Sequence, residues 1–422
     1  MSPADAPVDR PPMVDDPHFP ADPYPTYAWL RTHRPTHRIP LSRGGHGWLL
    51  TRYADVLAAL SDERLSKDNH YIGHGVSDPY AESRLSANLL SLDPPDHTRL
   101  RRLVSRAFTP RRMERIRLRV HDIARELIGT LPRTGPVDLI SSYALPLPFR
   151  VICELLGVHG LIHREEFHAC VLRVFAPPAG TPAGHLTEHV DRLERYFAQL
   201  IADKRHRPGD DLLSALIAAH DAADGSLSED ELLSMTMLML VAGYANTVNL
   251  IGNGVHTLLA APRATAELRA DATLIPRAIE EMLRYESPIE RVPTLVTREP
   301  VTYSGVRIDP GEVIYACVAS ANRDPERFAD PDRFDPHRRD IGHHLGFGQG
   351  IHYCLGAALA RIEGEVALAE LLHAFDDMTQ AVPEAELNWR STFLFRSLAE
   401  LPVTLTPSRA PAGAEHGAHT GP

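Results

Sequence analysis

The chain has 422 residues, with 44 basic against 55 acidic side chains and a formal net charge of −11, which argues against general nucleic-acid binding and gives no sign of a membrane-surface protein. No apolar run reaches the ~18 residues of a membrane span, and the start, Met1-Ser-Pro-Ala-Asp-Ala-Pro, lacks a basic stretch followed by a hydrophobic one, so a soluble, cytoplasmic protein is expected. Cys153, Cys170, Cys317 and Cys354 lie far apart, which predicts reduced thiols rather than a disulfide framework.

Residues 1–20, rich in Pro and Asp, and 407–422, rich in Ala, Gly and His, read as poorly ordered extensions of one unit spanning 21–406. Lys67 and Lys204 are the only lysines, a bias that reads as high-GC codon usage in a bacterial genome. Asp22-Pro-Tyr-Pro begins a short helix, Gly47–Tyr53 reads as strand and Ala54–Leu60 returns to helix, which predicts a small N-terminal sheet. After Asp93-Pro-Pro-Asp96 a further helix places His97 and Arg101 four apart on one side. Apolar residues at three- and four-residue spacing predict helices over 114–130, 187–204, 210–220 and 229–260. The last opens at the capping box Ser228-Glu-Asp-Glu231 and stops at Pro262. At 1.5 Å per residue it is roughly 50 Å long. Strand-like runs return at 292–303, 306–318 and 393–405, so the fold class is mainly α with minor β, an α+β arrangement.

Leu345-Gly-Phe-Gly-Gln-Gly-Ile-His352-Tyr-Cys354-Leu-Gly356 sets one cysteine among glycines at alternate positions, ahead of a helix-like run from Ala357 to Glu363. Loop amides and the positive end of that helix would lower the thiol pKa and make Cys354 a metal ligand. Phe347-Gly348-Gln-Gly350-Ile-His352-Tyr-Cys354-Leu-Gly356 resembles the heme-binding signature of the cytochrome P450 family, with every fixed position matched. The resemblance implies a single compact triangular domain whose long helix crosses the distal face of heme b. It implies Cys354 as the axial iron ligand, within a loop that includes Phe347 and Gly348, and thiolate donation of that kind favours O–O cleavage. His97, Arg101 and His352 match its propionate partners. Ala242-Gly243 matches the small residues beside the porphyrin, and Glu281, Arg284 and Arg333 match a structural cluster that holds the cysteine loop.

Two positions depart from the family's pattern. Leu295 stands where many relatives place a propionate-binding arginine, leaving Arg291 or Arg298 to reach that group. In the long helix, Ala245 stands at the position of an acid and Asn246 at that of a threonine which together deliver protons; Thr247 is turned about 100° away. Either Asn246 holds water as a hydroxyl would, or the substrate supplies the hydroxyl or is coupled by a radical route. Substrate selection is expected from 67–90, 175–180, 235–238, 293–296 and 393–395. The implied activity is dioxygen-dependent hydroxylation, epoxidation or oxidative coupling of a small hydrophobic or aromatic molecule in specialised-metabolite biosynthesis. Electrons would come from ferredoxin and ferredoxin reductase, docking on a basic patch of Arg99, Arg102, Arg106, Arg111 and Arg112, to a monomer. The alternative is a non-enzymatic heme protein, a gas sensor or an auxiliary partner of another enzyme.

Overall fold

The computed structural model describes residues 19–408 except 41–44, 69–70, 72–79, 106–109, 159–163, 176–182, 223–226 and 391. Among them the helices are α1 (Tyr24–His33), α2 (Tyr53–Ala59), α3 (Asp96–Ser105), α4 (Pro110–Thr130), α5 (Pro146–Leu156), α6 (Arg164–Phe175), α7 (Ala183–His206), α8 (Leu212–Asp221), α9 (Glu229–Ala260), α10 (Pro262–Ala270), α11 (Ile275–Tyr285), α12 (Val318–Ala321) and α13 (Ala357–Ala374). The strands are β1 (Thr36–Pro40), β2 (His46–Leu50), β3 (Leu65–Ser66), β4 (Pro136–Asp138), β5 (Val292–Thr297), β6 (Val301–Tyr303), β7 (Val306–Ile308), β8 (Val313–Ala316), β9 (Phe375–Gln380) and β10 (Pro402–Pro407).

Proline sets several helix starts, because its missing N–H falls where a helix has no internal acceptor for it; α1, α5, α10 and α11 all carry one in the first two positions. The 32-residue α9 begins at the expected capping box, with Ser228 Oγ accepting from Glu231 N and Glu231 accepting from Ser228 N. It is long and apolar enough to cross a membrane, yet 72% of its apolar window is buried within the protein. Helices α5, α7, α11 and α13 pack against it. Close approach needs small residues: a Cβ on Gly254 would meet Met282 Sδ at 2.7 Å.

Beside this helical body lies a five-stranded sheet in the order β1-β2-β8-β5-β3, with β2 and β8 parallel and the other pairs antiparallel. At its edge Leu65 pairs with Thr297 and Ser66 with Val296. A second sheet, β4-β10-β9, covers one end of the helices, and β6-β7 is a hairpin turning at Ser304-Gly305 with both φ values positive. Cys153, Cys170 and Cys317 are buried and unpaired, as packing residues should be.

The folded body extends slightly past its expected edges. Phe19 packs edge-on to Tyr27 at 5.8 Å, Arg396 bonds the carbonyls of Pro20 and Ala21, and Ser408 N donates to Ala374 O at 2.9 Å. Residues 1–18 and 409–422 of the expected extensions lie outside the described residues. The run 393–405 is strand only from Pro402; before that it makes isolated bridges such as Ile289 with Phe395.

Candidate active site

The loop that carries Cys354 depends on backbone angles side chains resist: Gly348 and Gly350 sit at φ +72° and +70°. A Cβ on Gly350 would also press to 2.9 Å from Leu60 O. Cys354 N donates to Phe347 O at 2.9 Å, closing the loop ahead of α13. Burial pushes the Cys354 thiol up; the Gly356 N–H and the Arg101 and Arg361 guanidiniums pull the other way and do not cancel it. The amides alone therefore do not make the expected thiolate, whereas a coordinated cation would.

Glu281 and Arg284, both fully buried, form a two-pronged pair at 2.7 Å on each prong. Arg284 donates onward to Asn322 O and Pro331 O, and Asn322 Oδ1 accepts from Leu345 N at 2.7 Å, tying the pair to the start of the cysteine loop. The third member is Arg338, not Arg333. Arg338 Nε reaches Glu281 Oε1 at 3.2 Å, while the Arg333 side chain is 68% exposed beside Asp335 and supplies only its carbonyl to Arg284. A second tie joins Arg361 of α13 to Glu280 at 2.6 Å, with His344 on the same carboxylate at 3.0 Å.

On the other flank of the loop the rings of His97 and His352 lie 4.4 Å apart. His97 Nε2 and His352 Nδ1 are buried with no hydrogen-bond partner. Burial first, then neighbouring cations, push His352 down to about 3, and burial also lowers His97. Arg101 stands beside them and donates to Tyr353 O at 2.7 Å. Each buried, unpartnered nitrogen costs about 1–3 kcal/mol, so the place is built for an acceptor. Neither arginine expected to compensate for Leu295 serves there. Arg291 is held by Glu290 at 2.8 Å, Phe393 O and Tyr27 Oη, and Arg298 by Glu63 O.

The distal side is the middle of α9. Ala242 is exposed within an otherwise buried stretch, but a Cβ on Gly243 would meet Ile152 at 2.6 Å, so this glycine serves the packing of α5 and not the cofactor face. Asn246 Oδ1 is buried without a partner. Thr247 is turned away, as the helix geometry requires, toward α13. There it faces Glu363, whose fully buried carboxyl is driven well up by desolvation. The hydroxyl is near enough to oppose that shift, although neither Glu363 oxygen closes a hydrogen bond. Glu363 stands in no motif, and with Arg361, Glu365 and Glu370 on the same helix only its burial sets it apart.

Ala245 lines a small, partly open cavity. Val241, Val248 and Asn249 line it from α9, His168, Val171 and Phe175 from α6, and Arg390 and Phe395 from the C-terminal segment. Phe175 and Phe395 were expected; 235–238, Leu295 and Val296 are not among its described lining, while 69–70, 72–79 and 176–180 lie outside the described residues. His168 also bonds Tyr244 Oη at 3.0 Å, so α6 is anchored to α9.

Among the described residues no three His, Cys, Asp or Glu side chains converge on one point, so a metal at Cys354 must bring its other ligands with it. A porphyrin does so, and its propionates are the acceptors that His97 and His352 lack beside the Arg101 guanidinium. The residues present therefore fit a heme, and fold and site together define a heme-thiolate protein. The family model described as Cytochrome P450 matches residues 162–397. Cytochrome P450 monooxygenase PikC of Streptomyces venezuelae is 43% identical, the match covering 96% of this chain and 94% of PikC. Mycinamicin IV hydroxylase/epoxidase of Micromonospora griseorubida is 41% identical over 89% of this chain and 94% of its own length. Among solved structures, the tirandamycin C-bound P450 monooxygenase TamI superposes with a TM-score of 0.87 at 39% identity, covering 92% of this chain and 99% of TamI. The chain belongs to the cytochrome P450 family. Its activity is that of a P450 monooxygenase, and the alternative of a heme protein without turnover is set aside.

Proposed function

We infer that Cys354 is the axial ligand of heme b, that His97, Arg101 and His352 receive its propionates, and that the enzyme hydroxylates or epoxidises a small, largely hydrophobic specialised metabolite. The observation that carries this reading is the pair of buried, unpartnered imidazole nitrogens flanking the cysteine loop. Thiolate-ligated heme supplies the activation of dioxygen when bound. The chain's own residues do the rest. Val241, Val171 and Phe395 keep water from the cavity, and Ala245 leaves room for substrate close to the backbone of α9. Asn246 offers a buried amide that can hold a water or a substrate hydroxyl at the position of proton delivery. The names of PikC and of the mycinamicin enzyme support hydroxylation and epoxidation in specialised metabolism. Electrons come from ferredoxin and ferredoxin reductase, to a monomer working in the cytoplasm.

The ferrous carbon monoxide complex should show the strongly red-shifted Soret band of thiolate-ligated heme, and Cys354→His should abolish it. Persistence of that band in the variant would remove Cys354 from its role.

A further inference from the structure

Apolar side chains make most of the wall of the cavity beside Ala245, and among the described residues no Asp or Glu lines it. Four polar side chains do: His168 from α6, Asn249 from α9, and Arg390 and Ser397 from the C-terminal segment. Arg390 N donates to Ser397 O at 2.9 Å, which sets those two residues side by side. Asn249 follows Ala245 by about one helical turn and so lies on the same face of α9.

Arg390 is half-buried, and a guanidinium has five N–H donors to place. Its side chain makes one hydrogen bond among the described residues, to Ala399 O at 3.5 Å, beyond the usual range of such a contact. Among those residues no carboxylate pairs with it. Asp138 and Glu400 act on it through their fields alone, and Asp138 gives its two oxygens to the amides of Ile140, Ser141 and Leu401. Burial outweighs those fields and pushes the guanidinium down, yet an arginine stays charged. Its charge is felt by His168, which burial first and Arg390 second bring down to about 4, so this imidazole is neutral. The side chains of Ser397 and Asn249 make no hydrogen bond among the described residues. One uncompensated cation with two free neutral donors suits an anion; an ammonium would meet like charge and no acid.

We propose that Arg390 is a specificity-determining residue and that the substrate is an amphiphilic carboxylic acid, its carboxylate on the Arg390 guanidinium and its apolar body against Val171, Val241 and Ala245. The proposal deepens the monooxygenase reading above and rests on it. An arginine–carboxylate contact with two parallel hydrogen bonds fixes orientation as well as affinity. The acid end is thereby held, and the apolar end is the part offered for oxidation.

The experiment is a calorimetric titration of the full-length holoenzyme with alkanoic and phenylalkanoic acids of about eight to fourteen carbons, each beside its methyl ester. The acids should bind about tenfold tighter than their esters or more, the range for a hydrogen bond to a charged group. Arg390→Met should erase that preference by weakening the acids alone, and Arg390→Lys should keep part of it. Absence of an acid preference anywhere in the series, whether both forms bind or neither does, would overturn the proposal. So would equal weakening of acid and ester in Arg390→Met, which is the mark of a packing role. Should Arg390→Met not fold, Arg390→Gln decides in the same way. A wild-type protein without the carbon monoxide band of thiolate-ligated heme would instead overturn the heme reading, while the calorimetric comparison of acid with ester still decides on Arg390.

Discussion

At the level of single residues the distal helix sets the chemistry apart. Asn246 carries a buried carbonyl oxygen without a partner, beside Ala245 on the cavity wall. If the substrate completes the proton relay, Ala245→Glu with Asn246→Thr should leave product formed per reductant consumed flat or lower, with more hydrogen peroxide released. Proton delivery by a positioned acid is worth about 10²- to 10⁴-fold, so a sharp rise in coupling would instead expose the native pair as a deficit. On α13, next to this helix, burial raises the pKa of Glu363 well above the ordinary 4.5 and so favours its neutral form. An acid whose folded pKa is raised binds its proton more tightly in the native state, so it costs stability as pH rises through the unfolded value near 4.5. Glu363→Gln should therefore gain on wild type between pH 5 and 8, by up to about 1.4 kcal/mol for each pH unit in which only the unfolded chain is ionised. Denaturant melts of both proteins at the two pH values test it; parallel curves would mean that the carboxyl ionises normally.

Among the elements, the fixed point is the knot of Glu281, Arg284 and Arg338 that holds α11, the segment before the cysteine loop and the loop itself. Arg338→Ala leaves Glu281 and three carbonyls short of a donor and should cost about 3–5 kcal/mol, seen as protein purified largely without heme. Arg333→Ala, at an exposed side chain, should stay within about 0.5 kcal/mol; the reverse ranking would restore the assignment made from spacing. That misassignment is instructive, since both arginines lie at workable distances before Cys354 and only burial separates them. α9 could be read from sequence because its cap, its length and its stop are all local. α5 could not: from Pro146 to Leu156 it is buried nearly all round, which erases the helical period. β1 and β9 escaped for the opposite reason. Thr36-His-Arg-Ile-Pro and Phe375-Asp-Asp-Met-Thr-Gln have little apolar alternation and owe their conformation to the partner strands β2 and β10. In the site, Cys354, His97, Arg101 and His352 were legible because each belongs to a short contiguous motif. Arg338 was not, because only its burial against Glu281 separates it from the exposed Arg333.

For the molecule as a whole, the charge distribution decides how electrons arrive. The net charge is −11, so the acidic ferredoxin proposed above as donor would meet repulsion on a random approach. Toward the cysteine loop, where Arg101 bonds Tyr353 O, Arg102 is exposed and Ile351 and Tyr353 stand out at 51% and 38% exposure, while Arg112 near the start of α4 is half-exposed. Of the five arginines expected there, Arg99 is neutralised by Glu231 and Asp96, the Arg106 position lies outside the described residues, and of Arg111 only its place at the start of α4 is described. The patch is thus smaller than composition suggests, and it combines a few cations with an apolar centre, the pairing that favours steered but short-lived encounters. Arg102→Glu with Arg112→Glu should slow reduction by ferredoxin several-fold at low ionic strength and flatten its salt dependence, because exposed charges are screened beyond about 10 Å at 0.1 M salt. Ile351→Ala should leave the salt slope intact and weaken the complex by faster dissociation. Stopped-flow reduction across a salt series reads both effects. Equal slopes for wild type and the charge-reversed variant would move the docking site elsewhere, and an unchanged carbon monoxide spectrum in each variant confirms that only electron delivery was altered.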